Sequence, residues 1–269
     1  MDEHFQLRLV TQFNPKSPVA EAYRILRTNL NFAGLDRPFK TLLVTSPGPS
    51  EGKSTTLGNL GIAMAQAGVG TLIMDCDLRK PLQHKVFNLS NQKGFTNFLV
   101  DRSVTADEVI QETEVPGLKV LTSGPIPPNP SELLASKRAF QVIEELQEKF
   151  QLILIDSPPV VAVADAAILA AKVDGVIVVV RSHVTRLDLA TEAKNLLDKA
   201  NANILGVVLN GVPMSSDDYY YYYYYGQGNP KKKGILAMLE RSLGSRFRLR
   251  RQKNSHRDGS RLLKNRQLI

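Results

Sequence analysis

The stretch SPGPSEGKSTT (residues 46–56) consists mainly of small residues and contains one lysine, the composition of a phosphate-binding loop. Glycines and other small residues let backbone N–H groups surround a polyphosphate, and the N-terminus of a following helix adds its positive dipole end. Lys53 would neutralise the β and γ phosphates of a nucleotide, and Ser54 would bind Mg²⁺. The usual spacing has a glycine at position 47, but this chain has Pro47 there and Gly48 one place later.

Three aspartates stand where they could complete such a site. Asp75 and Asp77 lie at the end of one apolar run, and Asp156 lies near the end of another. Phosphoryl transfer needs carboxylates to hold the metal and to orient or deprotonate the acceptor. In a parallel sheet the C-terminal ends of all strands lie at the edge where ligands bind. A single aspartate there is often a helix cap, whereas three beside a Gly-Lys-Ser loop predict a magnesium-nucleotide site.

A run of seven tyrosines, residues 219–225, contains every tyrosine of the chain except Tyr23. Neither a helix nor a strand can direct seven consecutive side chains to one buried face. The neighbouring Ser, Asp and Gly residues favour a loop or tail. Considered alone, the run is a sticky edge strand, an aromatic contact patch or a repeat without function. A phosphoryl-transfer site in the same chain adds a further interpretation, in which the phenols accept phosphate.

The elements that must position these residues are indicated by apolar, β-branched runs. Five such runs occupy residues 41–46, 71–77, 152–159, 175–182 and 202–211. Runs of this kind are typical of strands buried on both faces of a parallel sheet. Helical segments lie between them, in residues 54–68 and 130–150. The alternation predicts a three-layer α/β/α P-loop fold with a mostly parallel central sheet.

Helix-terminal signals mark two further boundaries. The helix predicted in residues 130–150 has three of them: Asn129 as N-cap, Pro130 at the first position and Glu132 as capping-box partner. A separate helix is predicted in residues 14–34, where Ser17 would be the cap and Pro18 would lie in the first turn.

Length and composition restrict the class of protein. The chain has 269 residues and 43% apolar residues, which fits one α/β domain with tails. No apolar run approaches the ~18 residues that span a bilayer, and the N-terminus lacks the apolar stretch of a secretory signal. The single cysteine, Cys76, excludes an internal disulfide framework and indicates a reducing cytoplasm.

The net charge of +8 is concentrated at the C-terminal end. Residues 226–269 contain 13 Lys/Arg and two Asp/Glu, a net charge of +11, whereas residues 1–225 have a net charge of −3. For this basic segment the sequence leaves several interpretations open: contact with an anionic membrane surface, pairing of Lys231 to Lys233 with phosphotyrosines, or a solvated disordered tail. Nucleic-acid binding is disfavoured because Phe247 is the only aromatic residue beyond the tyrosine run.

Together these motifs resemble the catalytic domain of the bacterial tyrosine kinases that govern capsular and exopolysaccharide synthesis. Those kinases are a branch of the deviant P-loop ATPases that also contains the Min and Par positioning proteins. The resemblance covers roughly residues 14–226 and includes SPVAEAYRILRTNL, IMDCDLRKP, GPIPPNPSELL, LILIDSPPV, DGVIVVVR and LGVVLNGV. The Min and Par proteins carry a signature lysine five positions before the loop lysine, where this chain has Gly48.

The resemblance implies an enzyme that uses ATP and Mg²⁺ to phosphorylate protein tyrosines. Asp75 would be the base. Ser54, Asp77 and Asp156 would surround the metal, and Asp75 is a further candidate metal ligand. Lys53, Asp75 and Asp77 would be catalytic. The implied ATP contacts are Gly48, Pro49, Ser50, Glu51, Gly52, Lys53, Ser54, Thr55 and Asn210, the last beside the adenine. The implied acceptors are Tyr219, Tyr220, Tyr221, Tyr222, Tyr223, Tyr224 and Tyr225.

The resemblance also implies a domain organisation. We expect an N-terminal segment with an oligomerisation helix (residues 1–34), a P-loop kinase domain (35–213), a tyrosine-cluster tail (214–230) and a basic extension (231–269), either disordered or forming a short amphipathic helix. Glu21, Arg24 and Arg27 match an E-x-x-R-x-x-R helix that contacts a neighbouring subunit in a ring, the alternative being a solvated helix face. Nine residues from Asn210 to Tyr219 span at most ~30 Å, which predicts phosphorylation between subunits.

The partners implied are ATP, further copies of the chain, a transmembrane activator expected as a separate chain, and a tyrosine phosphatase. The implied location is the cytoplasm, at the inner face of the cell membrane through that activator. In the family the tyrosine cluster usually lies close to the C-terminus, but here 44 residues follow it. Two other functions remain as alternatives: a Min/Par-like positioning ATPase without protein kinase activity, and a regulatory ATP-binding module.

Overall fold

The structure is a computed structural model that describes residues 9–213. The tyrosine run and the basic extension, with the short amphipathic helix that is one alternative for it, lie outside the described residues.

One mixed sheet organises the described chain. Its strands are β1 (Thr41–Thr45), β2 (Thr71–Asp75), β3 (Ile110–Glu112), β4 (Leu118–Leu121), β5 (Leu152–Asp156), β6 (Gly175–Arg181) and β7 (Ile204–Asn210). Their spatial order is β3-β4-β2-β5-β1-β6-β7, and every pair is parallel except β3 with β4. The C-terminal ends of β1, β2 and β5 therefore meet at one edge near the middle of the sheet, as predicted.

Helices cover both faces of this sheet. They are α1 (Val10–Phe13), α2 (Pro18–Ala33), α3 (Lys53–Ala65), α4 (Gln83–Val86), α5 (Phe95–Val100), α6 (Ala106–Val109), α7 (Pro130–Leu134), α8 (Lys137–Gln147), α9 (Asp165–Ala170) and α10 (Leu187–Lys199). No helix among the described residues is both long and apolar enough to cross a membrane.

Two apolar clusters separate the layers. Side chains of α2 and α3 form one cluster with Leu42 and Val44 of β1, whereas α5, α8, α9 and α10 form the other with Leu43. Neighbouring residues of a strand point to opposite faces, so one buried strand contributes to both clusters. The predicted three-layer α/β/α fold is confirmed.

Two details of the secondary structure differ from the prediction. The helix expected over residues 130–150 is divided into α7 and α8, because the Ser136 hydroxyl caps α8 by accepting from the Ala139 N–H. Asn129 makes no side-chain capping bond, and its amide instead donates to the Glu132 carboxylate at 3.0 Å. Asn129 is therefore the N-cap residue of α7 and Pro130 its first residue, as predicted, whereas the predicted capping box is wrong. The strands β3 and β4 were not predicted, and β3 is short and only partly buried.

The predicted start of α2 is correct. The Ser17 hydroxyl accepts from the Ala20 N–H at 3.1 Å, and Pro18 is the first helical residue. This helix carries Glu21, Arg24 and Arg27.

Candidate active site

The segment between β1 and α3 forms a tight loop with two residues in left-handed backbone conformations. Ser50 and Gly52 both have positive φ, at 61° and 96°. Glycine is needed at position 52 for a second reason: a Cβ there would overlap the amide nitrogen of Asn210. The loop thus turns its backbone toward the edge of the sheet, the conformation that a phosphate-binding loop requires.

The interior of this loop is held by a buried carboxylate. Glu51 accepts from the Gly48 N–H at 3.1 Å and from the Thr185 hydroxyl at 2.6 Å, and its exposed fraction is 3%. The Ser46 hydroxyl donates to the Gly48 carbonyl at 2.7 Å. The Glu51 side chain therefore supports the loop from behind, so any contact of Glu51 with a phosphate would come from its backbone.

A cavity of about 540 Å³ opens in front of the loop. A volume of this order accommodates a nucleotide. Seven of the nine residues predicted to contact ATP line it: Pro49, Ser50, Gly52, Lys53, Ser54, Thr55 and Asn210. The other two, Gly48 and Glu51, do not line it.

The far wall of the cavity comes from the ends of β6 and β7. The Asn210 amide donates to the Glu51 carbonyl at 2.9 Å, and the Arg181 guanidinium donates to the Ser50 carbonyl at 3.1 Å. Both residues line the cavity, as does Lys80 from the loop after β2. Arg181 and Lys80 were given no role from the sequence, although they lie within the quoted segments DGVIVVVR and IMDCDLRKP.

The three predicted aspartates converge on Lys53. Its ammonium lies 3.2 Å from Asp77 Oδ2 and 3.4 Å from the Ser54 hydroxyl. Burial lowers the pKa of Lys53, but the negative charges of Asp156, Asp77 and Asp75 outweigh that effect and leave the pKa raised. The ammonium therefore remains charged at neutral pH, as a phosphate ligand must.

Asp75 is fully buried and closely held by the backbone. Its Oδ2 accepts from the N–H groups of Leu82 and Gln83 at 3.0 and 2.9 Å, and its Oδ1 accepts from the Asp77 N–H at 3.3 Å. Burial and the nearby charges of Asp156 and Asp77 raise its pKa well above the usual value, and the N–H donors oppose this only in part. Asp77 lines the cavity, whereas Asp75 does not.

Asp156 faces Asp75 across the paired strands β2 and β5 and is also fully buried. Its Oδ2 accepts from the Gln83 side-chain amide at 2.7 Å, and its Oδ1 has no hydrogen-bond partner within residues 9–213. Burial raises the pKa of Asp156, and the Lys53 charge acts against this shift. Sequence reasoning missed Gln83, which belongs to no motif.

The oxygen atoms at this edge fit Mg²⁺, which prefers carboxylates, hydroxyls and water. Asp156 Oδ1, which has no partner within residues 9–213, and the nearby Ser54 hydroxyl could both serve as ligands. Within the part of the chain that is described, no group of three acidic, histidine or cysteine side chains could hold a metal by itself. A Mg²⁺ ion here would accordingly need phosphate and water oxygens as well, as it commonly does in nucleotide sites.

The two arginines of α2, Arg24 and Arg27, have different partners. Arg24 forms an ion pair with Glu21 at 2.7 Å and also donates to the Pro15 carbonyl. Arg27 instead donates to the Ala63 carbonyl of α3 at 3.1 Å. Arg27 thus ties α2 to the helix that begins at Lys53, while Arg24 and Glu21 lie nearer the surface of α2.

Comparisons with known proteins identify the family of the chain. The family model described as AAA domain matches residues 48–204. Tyrosine-protein kinase YwqD of Bacillus subtilis is 41% identical over 210 residues, which cover 78% of this chain and 88% of YwqD. The solved kinase domain of the Escherichia coli tyrosine kinase ETK is 33% identical, with a TM-score of 0.73 over 77% of this chain and 82% of that domain.

A more distant likeness concerns the fold alone. The septum site-determining protein MinD from Pyrococcus horikoshii is 21% identical, with a TM-score of 0.56 over 68% of this chain and 76% of MinD. The similarity to tyrosine-protein kinases is much higher and extends over most of both chains. On this basis, the chain belongs to the bacterial tyrosine-protein kinases.

Proposed function

We propose that the protein transfers the γ-phosphate of ATP to tyrosines of its own segment 219–225, and that this reaction regulates capsular or exopolysaccharide synthesis and export. Membership of the tyrosine-kinase family supports the kinase chemistry. The observation that carries the proposal is the convergence of Lys53 with three strand-end aspartates beside a cavity of nucleotide size.

The transfer requires a phenol to lose its proton while it attacks. The tyrosine oxygen forms a bond to the γ-phosphorus, the bond from that phosphorus to the β–γ bridging oxygen breaks, and ADP leaves with the bridging oxygen. A carboxylate receives the phenolic proton. Lys53 and the backbone N–H groups of the loop stabilise the charge on the transferred group. Mg²⁺, when bound with the nucleotide, would neutralise further phosphate charge.

The proposed division of labour among the carboxylates follows their surroundings. Asp75 is proposed as the base, because a raised pKa makes its ionised carboxylate a stronger proton acceptor. Reaching a phenol would require Asp75 to exchange some of its N–H bonds, which come from the loop after β2 and from the first residue of α4. Asp77, on the cavity wall, and Asp156, whose Oδ1 has no partner in the described part of the chain, are proposed to join Ser54 around Mg²⁺.

The reaction is proposed to occur between subunits of a ring assembled through Glu21, Arg24 and Arg27. Each phosphotyrosine adds about −1.5 to −2 charges near neutral pH. Several phosphates on each segment would repel one another and favour dispersal of the ring. The charge change therefore supplies a switch between assembled, unphosphorylated subunits and dispersed, phosphorylated ones.

The remaining partners are proposed from the family resemblance. They are a transmembrane activator on a separate chain, which would hold the kinase at the inner face of the cell membrane, and a tyrosine phosphatase that reverses the reaction. The basic extension, residues 231–269, is proposed to add contact with an anionic membrane surface.

The decisive experiment incubates the purified chain with γ-labelled ATP and Mg²⁺ and maps the phosphate by mass spectrometry. Label on residues 219–225 supports the proposal. ATP hydrolysis without labelled protein would indicate a positioning ATPase, and nucleotide binding without either reaction would indicate a regulatory module. Phosphate on Tyr23 or on serine would contradict the proposed acceptor.

A further inference from the structure

Gln83 is a fully buried polar side chain behind the cavity, at the first position of α4. Its amide nitrogen donates to Asp156 Oδ2 at 2.7 Å and to the Ser54 carbonyl at 3.3 Å. Its backbone N–H donates to Asp75 Oδ2 at 2.9 Å. One glutamine thus contacts two of the three strand-end aspartates and the backbone of the serine that follows Lys53.

The orientation of the amide is fixed by chemistry. Both neighbours of Nε2, Asp156 Oδ2 and the Ser54 carbonyl, only accept hydrogen bonds. A flipped amide would direct Oε1 at these two acceptors, which is unfavourable. Oε1 is buried and has no hydrogen-bond partner within residues 9–213. The two hydrogen bonds that Nε2 donates therefore fix the position of the Gln83 side chain.

The consequence for Asp156 is an asymmetric carboxylate. The Gln83 amide occupies Oδ2, whereas Oδ1 is buried without a partner among the residues that the structure describes. A buried, unpartnered carboxylate oxygen is costly unless a ligand satisfies it. A lysine at position 83 would neutralise Asp156, and an apolar residue would remove the hydrogen bond that Oδ2 accepts. A neutral amide fixes one oxygen and leaves the charge available.

We propose that Gln83 is a positioning residue for the magnesium nucleotide. By bridging the first turn of α3 to the end of β5, it holds Asp156 so that Oδ1 is available to Mg²⁺ or to a water bound to Mg²⁺. This inference rests on the magnesium-ATP site of the proposed function. It adds a group that touches neither metal nor substrate and that acts through Asp156. Residues of this kind behind a metal site commonly change metal affinity when they are replaced.

The test compares the wild-type chain with Gln83→Met, which keeps the length of the side chain and removes both donors. Binding of a fluorescent ADP analogue is measured during a Mg²⁺ titration and, separately, in EDTA. We expect the Mg²⁺ concentration at half-effect to rise roughly 10- to 100-fold in the variant. Affinity for ADP in EDTA should stay at the wild-type value, whereas a merely structural role would weaken both.

The matched control is Gln111→Met on β3, another glutamine whose amide donates to two acceptors, the Ser90 carbonyl and the Thr122 hydroxyl. It should leave the Mg²⁺ titration unchanged. If Gln83→Met does not fold, as judged by circular dichroism, Gln83→Asn replaces it. Asparagine is one methylene too short to reach Asp156 and Ser54 together, so a rise in the Mg²⁺ requirement is again expected.

The inference is overturned if either folded variant of Gln83 needs the same Mg²⁺ concentration for half-effect as the wild-type chain. Wild-type ADP binding that does not respond to Mg²⁺ overturns it as well. Failure of the proposed function is distinguishable, because phosphate transfer to residues 219–225 is measured on the wild-type chain without reference to Gln83.

Discussion

The Lys53 ammonium and Asp77 Oδ2 lie 3.2 Å apart and join the phosphate-binding loop to the loop that follows β2. Both side chains are largely withdrawn from solvent, at 12% and 5% exposure. With the Ser54 hydroxyl as a second neighbour, two of the three ammonium hydrogens have partners. A phosphate that binds Lys53 therefore uses the third hydrogen or replaces Asp77.

Replacement of this lysine tests its role directly. Lys53→Met should lower the rate of phosphate transfer by roughly 100- to 1,000-fold, because a preorganised cation at the transferred group is lost. Transfer is measured with γ-labelled ATP. The control, Lys40→Met, changes a lysine just before β1, at the opposite edge of the sheet, and should leave the rate unchanged. Equal rates for wild type and Lys53→Met would contradict the assignment.

The buried carboxylates predict an unusual dependence of stability on pH. Burial raises the pKa of Asp75, so the folded chain keeps this proton to higher pH than the unfolded chain. The resulting stability is fully present below the unfolded pKa of about 3.9 and is lost as the pH rises through the folded pKa. Relative to Asp75→Asn, the wild-type chain should lose up to ~1.4 kcal/mol of unfolding free energy per pH unit in that window.

Urea denaturation at several pH values from about 4 to about 8 measures this difference. Since Asp156 is adjacent, the two carboxyls titrate as a pair and the loss extends over a broad range. Asp107→Asn, at an exposed position, controls for the change in net charge. A difference between wild type and Asp75→Asn that stays constant with pH, or that grows in favour of the wild type, would show the buried charge to be unimportant.

Transfer between subunits predicts complementation between two defective chains. One chain carries Lys53→Met and an intact tyrosine run; the other is active but has phenylalanine at all seven positions 219–225. Neither should label itself, and the second should still bind ATP. Mixed together, they should place phosphate on the Lys53→Met chain, which a size tag distinguishes on a gel. If the mixture stays unlabelled while the wild-type chain is labelled, transfer occurs within one subunit.

The two arginines of α2 should behave differently. Arg24→Ala removes a partly exposed ion pair with Glu21, so the melting temperature should change little. Because Arg24 is a proposed subunit contact, the same change should reduce assembly in sedimentation velocity. Arg27→Ala removes the bond to the Ala63 carbonyl and should also lower the unfolding free energy by about 1 kcal/mol. Arg102→Ala, at an exposed position outside α2, is the control. Assembly that survives Arg24→Ala argues for a solvated helix face.

The basic extension predicts binding to anionic lipid. The full chain should co-sediment with vesicles that contain phosphatidylserine, whereas a chain ending at Gly228 should not, since all 13 basic residues of the segment 226–269 follow that point. Each basic residue near such a surface contributes about 1 kcal/mol, an attraction that salt weakens. Neutral vesicles are the control. Equal sedimentation of the two chains would remove the membrane contact.

Much of the site could be predicted because one rule of parallel sheets determines it. Apolar runs that end in Asp75 or Asp156 locate strand ends, and all such ends share the edge of the phosphate-binding loop. Ser17 was predictable as a cap because its signal is local. The contact between Lys53 and Asp77 required the actual path of the loop after β2.

Other features depend on contacts far apart in the sequence. Glu51 lies in a loop that looks ready to bind phosphate, yet its carboxylate is engaged by Thr185, 134 residues away. Gln83 reaches Asp156 across 73 residues and has no motif to mark it. The division between α7 and α8 depends on a second N-cap, Ser136, within the span that the sequence predicts as one helix.

Asn210 lines the cavity and ends β7, nine residues before Tyr219, the first of the proposed acceptors. In the proposed reaction, the segment that carries the phenols therefore follows directly in sequence from a residue of the cavity wall. In the proposed ring, the tyrosines of one subunit would be present at the nucleotide of the adjacent subunit at an effective concentration on the order of millimolar. Dilution of the protein should then leave the rate per subunit unchanged for as long as the ring persists, and the kinetic order should rise once it dissociates.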